Sequence, residues 1–178
     1  MVGFGFITTH ATICFIGVAW LMAPQFLYDL GKLDLNKITI PIEEIRKVNP
    51  HRYEMEQLSG IIHIDYDKMT AVGVKHVGLD EFWVRGHIPG RPLMPGVLML
   101  ESAAQLCAYV TRIMRPEMGF IGFAKADSTR FRGTVVPPNS FYIIAQMAQM
   151  NRRRVVANCQ GMCDGMLTFE TVITGMPV

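Results

Sequence analysis

Residues 86–114 of the 178-residue chain read GHIPGRPLMPGVLMLESAAQLCAYVTRIM, and this stretch decides the fold. Its first eleven residues include three glycines and three prolines, a composition typical of a loop with a restricted backbone. The residues from Val97 to Met114 contain neither glycine nor proline and are rich in Leu, Met and Ala. This composition favours a helix, and a helix that is apolar nearly all round is a buried one. The stretch therefore predicts a rigid loop that leads into one long buried helix.

Strand patterns lie on both sides of this helix. A short amphipathic helix from Ile42 to Lys47 is expected first, ending near Asn49 and Pro50. The pair Asp164-Gly165 is a good two-residue hairpin turn. Alternating or apolar segments typical of strands occupy residues 60–67, 70–77, 120–132, 140–150, 155–162 and 167–174. Runs of strands around a single helix predict an α+β fold, in which one helix covers a face of an antiparallel sheet.

The beginning of the chain differs from the rest. Residues 1–28 contain no Asp, Glu, Lys or Arg, and the apolar stretch from Ala11 to Ala23 is interrupted only by Thr12. It is shorter than the ~20 apolar residues that span a bilayer. A packing arm, a membrane-associating segment and an extension ahead of a start at Met22 all fit, and we favour the extension. We expect an apolar extension over residues 1–40, dispensable up to residue 21, and one domain over residues 41–178.

Composition excludes several classes of protein. Half of the residues are hydrophobic and 18% are charged, the reverse of what intrinsic disorder requires. Seventeen basic residues against fifteen acidic ones leave a net charge of +2, too small to indicate nucleic-acid binding. The four cysteines form no C-x-x-C pair, so they indicate reduced thiols in a cytoplasmic protein and no metal site.

The predicted helix contains an unexpected carboxylate. Glu101 and Gln105 lie four residues apart and so share one face of an otherwise apolar helix. With Arg112 they could form a solvent-exposed stripe, or Glu101 could be a catalytic acid. The preceding loop presents one imidazole, His87, and the Gly96 N–H lies in the first helical turn, where it has no intrahelical acceptor. A base, an acid and an oxyanion donor are thus predicted within fifteen residues of sequence.

The run from His87 to Gln105 closely resembles the β-hydroxyacyl-acyl-carrier-protein dehydratases of fatty acid synthesis, the FabZ type. Their signature is H-F-P-G-x-P-x-M-P-G-V-L-x-x-E-x-x-A-Q, from which this run departs only by Ile88 in place of Phe. Residues 50–53 match the family's P-H-R-Y, and residues 130–132 match its K-F-R. The resemblance covers residues 41 to 176.

This resemblance implies a hot-dog fold, a curved antiparallel sheet wrapped round the long helix, in a dimer or a trimer of dimers. It implies dehydration of (3R)-3-hydroxyacyl-acyl-carrier-protein to the trans-2-enoyl product, without a cofactor. By the same resemblance, His87 and Glu101 are the catalytic histidine and carboxylate, contributed by opposite subunits. Gly96 provides the N–H that meets the thioester carbonyl, and Gln105 orients the acid. With Glu at position 101 the chain resembles the plain dehydratase, whereas the related dehydratase/isomerase has Asp as its acid.

Other features leave alternatives open. Residues 54–60 lack the family's apolar run, and Gly122-Phe123 stand near its aromatic gate, so the preferred chain length stays open. A thioesterase and a non-catalytic acyl- or carrier-binding module are the rival functions. The arginines Arg91, Arg130 and Arg132 are candidates for docking the acidic carrier protein. We interpret the remaining histidines as structural, namely His51, His63 and His76.

Overall fold

The computed structural model describes residues 25–178, and the predicted loop and helix lie at its centre. The apolar stretch, Met22 and Cys14 fall outside the described residues. The elements follow the predicted order, as β1 (Ile40–Pro41), α1 (Ile42–Ile45), β2 (Gly60–Asp65), β3 (Thr70–Val77), α2 (Gly96–Met114), β4 (Ile121–Phe131), β5 (Asn139–Asn151), β6 (Arg154–Cys163) and β7 (Met166–Pro177). The amphipathic helix near residue 42 is present but amounts to a single turn.

The seven strands form one sheet in the order β1-β2-β3-β5-β6-β7-β4, and every neighbouring pair is antiparallel. Two of the hairpin turns follow local chemistry. Asp164 and Gly165 both adopt positive φ, at 51° and 73°, which a tight two-residue hairpin requires. At the β2–β3 turn, the Lys68 N–H donates to Asp65 Oδ1 over 2.9 Å. The strand β4 joins β7 and stands at the edge of the sheet.

The helix α2 packs against the inner face of the sheet and forms the main core with it. Leu106 and Val110 of the helix and Phe141, Ile143 and Phe169 of the strands are fully buried there. The buried hydroxyls of α2 are satisfied within the helix, because Ser102 and Thr111 donate to carbonyls four residues earlier. The core thus fixes α2 across the sheet and sets the direction of its N-terminal turns.

The outer face of the sheet has a second apolar cluster. It includes Val72, Val74 and Ile144, which alternate along their strands with the residues of the inner face. A segment at residues 27–35 covers this cluster with Leu27, Tyr28, Leu30, Leu33 and Leu35. We call this segment the N-terminal strap.

Two hydrogen bonds tie the N-terminal strap to β6. The Leu27 N–H donates to Gln160 Oε1 over 2.8 Å, and Gln160 Nε2 donates to the Gln25 carbonyl over 2.9 Å. Sequence periodicity did not predict this segment, because it forms only a short 3-10 turn at Leu30–Lys32 and no regular strand.

Candidate active site

Glu101 lies in the second turn of α2, where its carboxyl group is held by Gln105 one turn later. Gln105 Nε2 donates to Glu101 Oε1 over 2.8 Å and to the Met55 carbonyl over 2.6 Å. Gln105 Oε1 accepts the Gln57 N–H over 2.9 Å. Because the Gln57 amide can only donate and the Met55 carbonyl can only accept, the orientation of the Gln105 amide is fixed. Glu101 Oε1 is therefore an acceptor, which leaves Oε2 to carry the proton of the acid form.

An apolar cavity of about 190 Å³ extends from Glu101 along one face of α2. On the helix it is lined by Ala104, Ala108 and Thr111, which follow Glu101 at helical spacing over about 15 Å. The opposite wall consists of Phe120, Ile121, Gly122, Phe123, Val155, Ala157, Ile173 and Gly175. The cavity thus has a polar end at Glu101 and an apolar remainder, a shape that suits an elongated apolar ligand with its reactive group at Glu101.

His51 also lines this cavity, which the sequence analysis did not predict. Its Nε2 lies 3.4 Å from Glu101 Oε1, and the two side chains are 26% and 28% exposed. His51 Nδ1 is buried and has no hydrogen-bond partner among the described residues. The interpretation of His51 as a structural histidine missed this contact, although its place in the P-H-R-Y match was a signal for it. The other two histidines are structural, His63 beside the Tyr28 ring and His76 at 3.1 Å from Ser140 Oγ.

His87 stands in the glycine- and proline-rich loop ahead of α2. Its Nδ1 lies 2.7 Å from the Leu93 carbonyl, which can only accept, so Nδ1 carries the hydrogen and Nε2 has a free lone pair. Its backbone N–H donates to the Trp83 carbonyl over 2.7 Å. The loop turns sharply next to it, since Ile88 and Gly90 adopt positive φ of 60° and 80°. In this tautomer Nε2 is the nitrogen that can act as a base, but His87 does not line the cavity that holds Glu101 of the same chain.

Gly96 is the first residue of α2, and its place requires the absence of a side chain. A Cβ at this position would lie 2.7 Å from the Phe131 ring, which stacks on Phe169 at a centroid distance of 5.5 Å. The Leu98 and Met99 N–H groups donate to the Pro95 carbonyl, so the Gly96 and Val97 N–H groups are the ones without an intrahelical acceptor, at the positive end of the helix dipole.

Two of the three candidate docking arginines share one carboxylate. Arg132 and Arg130 lie 2.6 Å and 3.3 Å from Glu170 Oε1 on the neighbouring strand. The hydrogen bond from Arg132 is the main reason that the pKa of Glu170 is lowered. Arg91, in the loop after His87, is exposed and forms no ion pair among the described residues.

The cysteines of the described residues are buried thiols. Cys107 Sγ on α2 lies 3.5 Å from Cys159 Sγ on β6, and the hydrogen bond between them is the main cause of a raised pKa of Cys159. Burial raises the pKa of Cys163 to about 11. Over residues 25–178 there is no group of three His, Cys, Asp or Glu that could hold a metal ion. Only α2 is long and apolar enough there to cross a membrane, and it is the helix of the core.

Comparisons with known proteins agree with this geometry. The family model of the FabA-like domain matches residues 49–172. The 3-hydroxyacyl-[acyl-carrier-protein] dehydratase FabZ of Sinorhizobium medicae (strain WSM419) is 36% identical over 143 residues, which is 79% of this chain and 91% of that protein. The dehydratase of the same name from Alkaliphilus metalliredigens (strain QYMF) is 32% identical over 149 residues, 79% of this chain and 96% of that protein.

Solved structures share the architecture at low sequence identity. The dehydratase heterocomplex ApeI:P from Xenorhabdus doucetiae matches with a TM-score of 0.64 and 12% identity, over 75% of this chain and 90% of that chain. A hypothetical thioesterase with coenzyme A from Streptococcus pneumoniae TIGR4 matches with a TM-score of 0.52 and 11% identity, over 66% of this chain and 84% of that chain. Together with the family match, they confirm the predicted α+β hot-dog fold.

Proposed function

The chain belongs to the FabA-like domain family and is a 3-hydroxyacyl-acyl-carrier-protein dehydratase of the FabZ type, and from that premise we propose which residues carry out the reaction. The enzyme is a hydro-lyase of fatty acid biosynthesis. His87 is the general base and Glu101 the general acid, with Gly96 as the oxyanion donor. The observation that supports this assignment is the anchored carboxyl group of Glu101 at the polar end of an apolar cavity.

In the proposed reaction, the acyl chain occupies the cavity and the 3-hydroxyl group lies at Glu101. His87 Nε2 takes the proton from C2 of the (3R)-3-hydroxyacyl thioester, and negative charge develops on the thioester oxygen. The Gly96 N–H and the dipole of α2 stabilise that charge. The C3–O bond then breaks, Glu101 Oε2 donates its proton to the departing hydroxyl, and the products are water and the trans-2-enoyl thioester. The site is restored when the His87 imidazolium releases one proton and the Glu101 carboxylate takes one up by exchange with solvent.

The active unit of this proposal is a homodimer, because the cavity that holds Glu101 lacks His87 of its own chain. We assign that position to the partner subunit's His87. The strand β4 supports such a pairing, since it is an eleven-residue edge strand. Long exposed edges are prone to pair with another chain. Exposed apolar side chains accompany this edge in the single chain. They are Phe123 and Phe131 on β4, Ile88 in the loop before α2 and Val97 at the start of α2.

The substrate is proposed to arrive on acyl carrier protein, the carrier in the names of the relatives, and the enzyme is proposed to be cytoplasmic. Arg91, Arg130 and Arg132 are proposed to steer the acidic carrier to the site. The rival functions are not favoured. The thioesterase among the solved structures is only 11% identical, so it shares the fold alone. A non-catalytic module would have no need for a carboxyl group whose hydrogen bonds leave one oxygen free.

Mass spectrometry of 3-hydroxyacyl carrier protein after incubation with the enzyme tests the function directly. Loss of one water from the acyl group supports the dehydratase, whereas release of the free acid would indicate a thioesterase and no change a binding module. Glu101→Gln keeps the shape and hydrogen bonding of the side chain but removes its proton, and His87→Ala removes the base. Each is expected to lower kcat at least about a hundredfold while KM changes little. A Glu101→Gln enzyme within about threefold of the wild type would contradict the assignment of the acid.

A further inference from the structure

We propose that His51 is a positioning residue for the general acid, which lies against Glu101 Oε1 so that Oε2 keeps the transferable proton. This inference rests on the proposed role of Glu101. It adds a residue to the proposed machinery, drawn from the loop before β2 and fifty residues from Glu101 in the sequence.

The hydrogen-bonding capacity of His51 indicates which ring nitrogen carries the hydrogen. With the hydrogen on Nδ1, a buried N–H would lack an acceptor among the described residues, and the Nε2 lone pair would face the lone pairs of Glu101 Oε1. With the hydrogen on Nε2, the nitrogen that bears it lies 3.4 Å from the carboxyl oxygen, and Nδ1 is left as an unpaired acceptor among the described residues. An unpaired buried acceptor is tolerated better than an unpaired buried N–H. The Nε2–H tautomer is therefore the stable one.

The loop that carries His51 is attached to the same part of α2. Asn49 Nδ2 donates to the Gln105 carbonyl over 2.9 Å, and Asn49 is 4% exposed. The Arg52 guanidinium donates to the carbonyls of Asn49 and His51 over 2.9 Å and 2.6 Å. The backbone on both sides of His51 is thus held relative to Gln105. These hydrogen bonds fix the backbone of the loop and so hold the His51 ring next to Glu101.

The His51 contact is proposed to matter when Glu101 gives up its proton. Gln105 Nε2 and His51 Nε2 both approach Oε1, so both stabilise the negative charge that appears on the carboxyl group. They also disfavour a proton on Oε1, because both approach that oxygen as donors. Loss of the His51 N–H removes part of this help in the transition state. Because His51 itself lines the cavity, a replacement that keeps a ring there is the one expected to leave the binding of the acyl chain little changed.

The test compares two replacements of His51 in steady-state dehydration. His51→Phe keeps a ring and removes both nitrogens, and we expect kcat to fall about tenfold with KM unchanged. His51→Gln retains an N–H near the position of Nε2 and is expected to stay within about threefold of the wild type. His76→Phe replaces a histidine outside the cavity and serves as the matched control, with unchanged rates. Thermal unfolding followed by circular dichroism identifies a variant that does not fold, and His51→Ala then takes the place of His51→Phe.

Three results would overturn the proposal. A His51→Phe enzyme with wild-type kcat would show that the contact has no kinetic role. Activity as low as that of His87→Ala would make His51 a proton-transfer group itself. A His51→Gln enzyme as impaired as His51→Phe would show that the N–H is not what matters. Glu101→Gln is measured in the same assay to distinguish the two proposals. An active Glu101→Gln enzyme would remove the proposed role of Glu101 and with it this inference. An inactive Glu101→Gln enzyme together with a His51→Phe enzyme of wild-type activity would remove only the role of His51.

Discussion

Glu170 holds two of the three arginines proposed for carrier docking. Arg130 and Arg132 both contact its Oε1, so the three side chains together present one net positive charge. Arg91 is the docking candidate without an ion pair among the described residues, and its side chain can respond to an approaching acidic surface without first breaking a contact. At the scale of single residues, most of the steering is therefore expected from Arg91.

Arg91→Ala is predicted to raise KM for the carrier-bound substrate about three- to tenfold at low salt, with little change in kcat, because it removes long-range attraction and no reacting group. The difference from the wild type should shrink near 1 M salt, where the screening length falls to ~3 Å. Arg153→Ala is the matched control, since Arg153 lies in the turn between β5 and β6. Equal KM values for Arg91→Ala and the wild type at low salt would contradict the docking role.

The residues of the site differ in how far the sequence could predict them. The pair Glu101 and Gln105 follows from helical spacing alone, since residues four apart share a face. The meeting of His51 with Glu101 does not, because it depends on the hydrogen bond from Asn49 to α2, and no local pattern encodes a contact across fifty residues. The orientation of His87 also required the structure, which shows that the Leu93 carbonyl sets its tautomer.

At the scale of elements, α2 forms one wall of the cavity through its small residues. Ala104 and Ala108 are only half buried although they lie in the core helix, because their methyl groups face the cavity. Ala108 is seven residues beyond Glu101, or about 10 Å along the helix axis. An extended acyl chain advances about 1.25 Å per carbon with bonds of ~1.5 Å. The chain would therefore pass Ala108 about eight carbons beyond the carbon that bears the hydroxyl.

Ala108→Phe is predicted to restrict the enzyme to substrates with shorter acyl chains. Dehydration of an acyl chain of about four carbons should stay within about threefold of the wild type, while kcat/KM for about sixteen carbons should fall at least tenfold, since the ring fills a cavity one chain wide. Carrier proteins loaded with a series of chain lengths provide the measurement. Met166→Phe at an exposed position of β7 is the control. Equal loss for all chain lengths would mean that the acyl chain does not run along α2.

The N-terminal strap is the element that the sequence analysis did not predict. The helix α2 and the hairpins were confirmed because their periodicity is local and strong, as in Asp164-Gly165 and in the eighteen residues after Gly96. The strap has leucines but no regular spacing, and its partner surface belongs to strands from distant parts of the chain. Its role appears only once the outer face of the sheet is assembled.

Two truncations separate the strap from the apolar stretch before it. Deletion of residues 1–21 is predicted to leave a folded, active enzyme, since the family match begins at residue 49. Deletion of residues 1–35 should lower Tm by about 5–10 °C, because it exposes the outer apolar cluster and removes the contacts to Gln160. Thermal unfolding and the dehydration assay measure both. Loss of folding or activity on deleting residues 1–21 would show that the first segment is part of the domain.

At the scale of the whole molecule, the proposed site needs two chains. Glu101, Gln105 and His51 line one cavity of one chain, whereas His87 of the same chain is not part of that lining. The edge strand β4 and its exposed phenylalanines provide a surface on which a second copy can pair. A two-fold axis would then create two equivalent sites, each with the acid of one subunit and the base of the other.

This division predicts that two inactive variants restore activity when they are mixed. In a dimer of His87→Ala with Glu101→Gln, one site lacks both groups, and the other combines the intact Glu101 of the first chain with the intact His87 of the second. Random pairing makes half of the dimers mixed, with one good site of two, so co-refolded variants should regain about a quarter of the wild-type rate. Differently tagged chains, purified in tandem as mixed dimers, should approach one half. Mixed dimers as inactive as either parent would place both groups in one chain and refute the shared site.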